Sequence, residues 1–130
     1  MKVLYVEDDS MNRRVVKDML AVAEVEIVEA EDASIGLAIT ETQRFDLILM
    51  DLRMPGMDGL TAIAKIRAGT TENKAVPIIV VTADMSPDIR ERCMTAGADD
   101  LLRKPVAMNL LFDAIGGVLA RSEAPASMLA

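Results

Sequence analysis

Four of the five short β-rich runs in this sequence end on polar side chains suited to binding a cation and handling a phosphoryl group. Glu7, Asp8 and Asp9 follow the first run, Asp51 the third, Thr82 the fourth and Lys104 the fifth. Carboxylates crowded together raise one another's pKa unless a cation joins them. Hard oxygen ligands without His or thiolate suit Mg²⁺, which keeps several waters and accepts a phosphate oxygen as a further ligand. A lysine adds a compact positive charge and a threonine a hydroxyl donor, both matched to phosphoryl oxygens. An aspartate among them can attack phosphorus to give an acyl phosphate. That transfer depends on positioning and charge neutralisation, so it needs no His on the chain. A single carboxylate at a strand end is more often a turn residue or helix cap, so the argument rests on the conjunction.

The elements that must position these groups alternate along the chain. Strand patterns lie at 2–6 (KVLYV), 24–29 (EVEIVE), 46–50 (DLILM), 77–81 (PIIVV) and 100–103 (DLLR). Helical patterns lie at 10–21, 32–40, 59–68, 87–96 and 107–120. Three strands are nearly continuous apolar runs, as in a parallel sheet covered on both faces, and the second alternates like an edge. In the first helix Val15, Val16, Met19 and Leu20 form the apolar side, leaving Arg13, Arg14 and Lys17 toward water. Ser86 and Pro87 read as the cap and first turn of the fourth helix, with Gly97 at its end. Five βα units with right-handed crossovers give an α/β fold, a doubly wound five-stranded parallel sheet with five helices and strand order 2-1-3-4-5. In that order the first and third strands are neighbours, so the acidic cluster and Asp51 converge beyond their carboxyl ends.

Composition narrows the function classes. A chain of 130 residues suits one domain; we place it at residues 1–120, with 121–130 a short flexible tail. With 21 acidic against 14 basic side chains and a net charge of −7, the surface repels nucleic acid and anionic lipid. Zero His removes imidazole zinc sites and Ser/His or Cys/His catalysis. The lone Cys93 cannot form an internal disulfide and reads as a small buried hydrophobe, and no run reaches membrane-spanning length, so a cytoplasmic setting is expected. The ten methionines read as core filler in a chain with only Tyr5, Phe45 and Phe112 as aromatics.

Over residues 2–120 the chain resembles the receiver domain of two-component response regulators, a flavodoxin-like fold. The motifs that carry the resemblance are VEDD at 6–9, DLILMDLRMPGMDG at 46–59, VVTA at 80–83 and GADDLLRKP at 97–105. The resemblance implies that Asp51 is the phosphoacceptor, that Glu7 and Asp8 hold Mg²⁺ together with Asp51 and the backbone carbonyl of Arg53, and that Asp9 does not touch the metal. It further implies that Thr82 is the switch hydroxyl, that Lys104 is the family's lysine, and that the Lys104–Pro105 bond is cis. Leu101 and Val106 stand where many receivers carry aromatics. The aromatic half of the usual switch is absent, and a smaller or differently transmitted shift of the fourth helix and fifth strand is expected.

The function implied is a phosphorylation-controlled switch rather than a turnover enzyme, catalysing only its own phosphorylation and dephosphorylation. The donor is a partner phosphohistidine on a histidine kinase or histidine phosphotransferase. The output is an altered contact with a downstream protein, without direct DNA or membrane binding, by a monomer or a phosphorylation-dependent dimer. Arg13 and Arg14 fit either a solvated face or a docking face for such partners. Arg53 and Asp84 occupy variable rim positions where a salt bridge would shield the acyl phosphate. The start at Met1 close to the first strand favours a free-standing receiver, and a receiver from a hybrid histidine kinase is the alternative. An Mg²⁺-dependent aspartyl-phosphate phosphohydrolase would place its nucleophile after the first strand, whereas the best nucleophile here follows the third. A flavin binder would need Gly, Ser and Thr where Glu7, Asp8 and Asp9 stand.

Overall fold

A computed structural model describes the backbone of residues 1–129 and the side chains of residues 1–122. Five strands, β1 (Lys2–Val6), β2 (Glu26–Ala30), β3 (Leu47–Asp51), β4 (Ile78–Thr82) and β5 (Asp100–Arg103), alternate with α1 (Ser10–Ala21), α2 (Ala33–Thr40), α3 (Gly59–Ala68), α4 (Ile89–Ala96) and α5 (Met108–Leu129). All pair in parallel in the order β2-β1-β3-β4-β5, as the apolar runs and βα alternation require. The alternating strand β2 is an edge. It begins two residues later than expected, because Glu24 takes a positive φ of 57° in the turn after α1.

Strand side chains alternate between two cores. Leu4, Val6, Ile48, Met50, Ile78 and Val80 pack with α3 and α4 residues such as Ile63, Ile66, Ile89 and Cys93. Val3, Tyr5, Leu47, Leu49, Ile79 and Val81 pack with Val16 and Leu20 of α1 and Leu111 and Ile115 of α5. The register pairs Val6 with Met50, so Glu7 and Asp51 leave adjacent strands at the same level. Gly59 lets α3 start against the end of β3: a Cβ there would lie 2.1 Å from the Asp51 carbonyl oxygen.

Three helices are capped by aspartates, Asp9, Asp32 and Asp58, each accepting from backbone N–H groups of its first turn. The fourth helix corrects the sequence reading. It starts at Ile89 rather than Pro87, and Ser86 is no side-chain cap: its N–H and hydroxyl both donate to Asp84 Oδ1, and its carbonyl accepts from Ile89. The helical phase of α1 also differs from expectation. Val15 is 48% exposed, while the Arg13 side chain is only 16% exposed. Met50 and Met54 fill the core as anticipated, but Met1, Met11, Met85 and Met108 are exposed. The final helix begins where periodicity places it, but its backbone stays helical to Leu129, past the expected end at residue 120. The boundary expected between a domain and a tail at residue 121 falls largely on residues whose side chains, and at Ala130 whose backbone, lie outside the described residues. Among the described residues no helix is long and apolar enough to cross a membrane.

Candidate phosphoacceptor and metal site

Strand order decides what meets at the carboxyl edge of the sheet. Glu7, Asp8 and Asp51 each bring a carboxylate oxygen to a common place, all within 4.8 Å of one another. Glu7 and Asp51 are buried and Asp8 is exposed, so the cluster opens to solvent on one side. Lys104 reaches in from the end of β5, its Nζ 2.6 Å from Glu7 Oε1 and 3.4 Å from Asp51 Oδ1. Asp51 Oδ1 also accepts from the backbone N–H of Leu52 at 2.9 Å. The bond between Lys104 and Pro105 is cis, as the motif implies.

The electrostatics follow from this crowding. Burial and the neighbouring Asp51 hold the Glu7 carboxyl above its ordinary range, against the opposing pull of Lys104. Burial alone would lower Lys104, but hydrogen bonding to Glu7 and the charges of Asp51 and Glu7 outweigh it and raise the ammonium pKa. Three carboxylates against one ammonium leave two negative charges, the complement of a divalent cation. Glu7 Oε2 is buried and, among the described residues, accepts no hydrogen bond, so an acceptor in the cluster lacks a partner. Oxygen donors, excess negative charge and an orphaned buried acceptor fit a hard divalent ion.

Thr82 is buried at the end of β4, where its Oγ1 accepts from the Asp84 N–H at 3.0 Å, leaving its own proton free to donate. Arg53 lies on the rim, and its guanidinium meets Asp84 at 3.2 Å, forming the ion pair expected from the sequence. The Ser86 hydroxyl and amide, with Arg53, pull the Asp84 carboxyl down to about 2. From β5, Arg103 donates to the Asp84 carbonyl at 2.9 Å. Leu101, in the place of the usual aromatic, is buried in the core. Asp9 accepts from the amides of Met11 and Asn12 and is committed to capping α1.

Two neighbours escaped the sequence reading. Arg13 donates to the Glu7 carbonyl at 2.7 Å, so it belongs to the site and not to the solvated face with Arg14. Helical side chains lean toward the N-terminus, and this lean was the available signal. Among the described residues the buried Tyr5 hydroxyl has no hydrogen-bond partner, and burial together with the charges of Glu7 and Asp51 raises its pKa strongly.

The family model for the response regulator receiver domain matches residues 3–116. The chain belongs to that family. This receiver is 41% identical over 119 residues, 91% of its length, to the sensor histidine kinase AruS of Pseudomonas aeruginosa, of which it covers 12%. It is 33% identical over 112 residues, 85% of its length, to the sensor histidine kinase RcsC of Escherichia coli, of which it covers 11%. The chain spans less than a third of the length of these relatives. Among solved structures, the receiver domain of another Pseudomonas aeruginosa sensor histidine kinase, with a magnesium ion coordinated in its active-site cleft, is 35% identical with a TM-score of 0.83, covering 92% of this chain and 97% of that one. The chemotaxis protein CheY4 of Vibrio cholerae is 30% identical with a TM-score of 0.83, covering 90% and 97%. The receiver fold read from the sequence stands, and with it the family's role in two-component signalling as phosphoryl-accepting switches rather than turnover enzymes.

Proposed function

We propose that Asp51 of this receiver accepts a phosphoryl group from a partner phosphohistidine, with Mg²⁺ held by Glu7, Asp8, Asp51 and the Arg53 carbonyl. The observation that carries this reading is the meeting of three carboxylates and one ammonium at the end of the sheet. The cation supplies charge neutralisation for the phosphoryl oxygens. With Asp51 Oδ1 engaged by Leu52 and Lys104, Oδ2 is the oxygen that attacks. A new P–O bond forms as the P–N bond breaks, and the imidazole nitrogen departs with the electron pair. Lys104 turns toward the added oxygens, and the Thr82 hydroxyl donates to one of them. Water later cleaves the acyl phosphate to inorganic phosphate and restores the Asp51 carboxylate. The chain thus catalyses only its own modification and its reversal.

The donor in this reading is a histidine kinase or a histidine phosphotransferase, in the cytoplasm. The output is a changed contact with a downstream protein, made by a monomer or a phosphorylation-dependent dimer, without direct DNA binding. The working unit is residues 1–120, with 121–130 appended. A second reading places this receiver inside a hybrid histidine kinase, and the many-fold longer sensor kinases among its relatives favour it. Incubation with Mg²⁺ and acetyl phosphate, followed by intact mass, tests the chemistry. A hydroxylamine-labile phosphoryl adduct is expected on the wild type and none on Asp51→Asn. Equal modification of both proteins overturns the assignment of Asp51.

A further inference from the structure

We infer that Arg13 is a positioning residue for the acidic pair, clamping the backbone from which Glu7 and Asp8 project. The inference rests on the metal reading above. Glu7 is held by its backbone from two sides: its N–H donates to the Ala30 carbonyl at 3.0 Å, and its carbonyl accepts from Arg13 Nη1 at 2.7 Å. The guanidinium is itself fixed, its Nε 3.5 Å from Glu29 Oε1 on β2, and Lys17 meets the other Glu29 oxygen at 3.3 Å. The Arg13 side chain is largely buried, whereas its neighbour Arg14 is 83% exposed and pairs with Asp18 on the helix surface.

The Glu7 carbonyl and the Asp8 N–H share one planar peptide unit, so fixing the first fixes the second. On the other side of Asp8, Asp9 is committed as the cap of α1 through Met11 and Asn12. Asp8, the exposed member of the carboxylate trio, therefore springs from a backbone anchored at both flanks. Among the described residues its own side chain has no hydrogen bond that would orient it, so its aim depends on those anchors. A guanidinium suits this duty because its planar fork serves the Glu7 carbonyl and the Glu29 carboxylate at once, which an ammonium on a flexible stem does not.

Positioning and simple charge act in opposite directions here, which makes the role decidable. As a bare cation beside an acidic site, Arg13 repels Mg²⁺, and its removal tightens binding. As a clamp it orders two ligands, and its removal weakens binding on the order of tenfold. The experiment titrates Mg²⁺ into the full chain of wild type, Arg13→Met and Arg13→Lys, following fluorescence of the single tyrosine, Tyr5, and amide NMR shifts. A second arm measures amide hydrogen exchange at residues 7–9 without metal. We expect Arg13→Met to bind Mg²⁺ about tenfold more weakly, Arg13→Lys to recover part of the loss, and exchange at Asp8 and Asp9 to quicken while the strands stay protected. Unchanged or tighter Mg²⁺ binding by Arg13→Met, or unaltered exchange at residues 7–9, overturns the clamp. A wild type that gives no response to Mg²⁺ overturns the metal reading instead, and the exchange arm then decides the clamp by itself.

Discussion

Lys104 Nζ lies 2.6 Å from Glu7 Oε1, and this buried ion pair sets the electrostatic balance of the whole site. Asp51 shares the same ammonium at 3.4 Å, so among the described residues Lys104 is the cation paired with both buried carboxylates.

Replacing Lys104 with Met leaves Glu7 and Asp51 facing each other without a cation. Breaking a buried pair from one side costs about 3 kcal/mol, so the metal-free variant unfolds at distinctly lower urea concentration. The raised ammonium pKa means that the wild-type contribution is complete below the value of about 10.4 for unfolded lysine and is lost only as pH climbs through the higher folded value. Saturating Mg²⁺ restores part of the variant's deficit, by about 2.7 kcal/mol at a hundred times its Kd. Urea titrations at neutral pH with and without Mg²⁺ give both numbers.

Glu7→Gln acts in the opposite sense. The carboxyl is held above its ordinary range by burial and by Asp51. Its stabilising contribution is therefore present below the unfolded value of about 4.3 and disappears as pH rises through the folded one, leaving metal-free protein weaker at pH 7. The amide removes that slope. Metal-free Glu7→Gln is expected to gain about 1 kcal/mol at pH 7 and to lose the stabilisation that Mg²⁺ gives the wild type. Thermal melts between pH 4 and pH 8, run with and without Mg²⁺, separate the two effects.

The rim pair of Arg53 and Asp84 is expected to shield the acyl phosphate from water. Arg53 is well exposed, so the contact is worth only a few tenths of a kcal/mol to about 1. Arg53→Ala and Asp84→Ala should each shorten the phosphoryl lifetime about two- to fivefold, and the double variant should add little. With the Asp84 carboxyl at about 2, protonation of this residue contributes no pH dependence near neutrality. Phosphate release after removal of donor measures these lifetimes.

Tyr5 is the only tyrosine and reports on the acids directly. Burial and the charges of Glu7 and Asp51 hold its hydroxyl protonated far into the alkaline range. Ultraviolet titration should find no tyrosinate in the folded protein at about pH 11, where a free tyrosine is mostly ionised. Because the folded pKa exceeds the unfolded one, stability from this group is intact below about pH 10 and falls above it. Tyr5→Phe is expected to be neutral or mildly stabilising, since the hydroxyl it removes has no partner.

The sheet and the site were legible in the sequence for one reason: each strand of apolar residues ends on its polar group, and strand order alone brings those groups together. Asp51, Glu7 and Lys104 follow from that, whatever their side chains do. The rim pair of Arg53 and Asp84 was legible too, because both positions are fixed by their offset from a strand end. Features that depend on helical phase or loop chemistry were not. Arg13 looked solvated because Val15 and Val16 both suit a core, and only the close backbone of Glu7 decides that the guanidinium turns inward. Ser86 looked like a cap because Pro87 follows it, but Asp84 offers a carboxylate two residues before and draws both its donors.

The bond between Glu7 and Lys104 joins residues 97 positions apart. A nascent chain that has left the ribosome only as far as the fourth strand holds the glutamate but not its lysine. The charge balance of the site is therefore completed only when the last strand has been made.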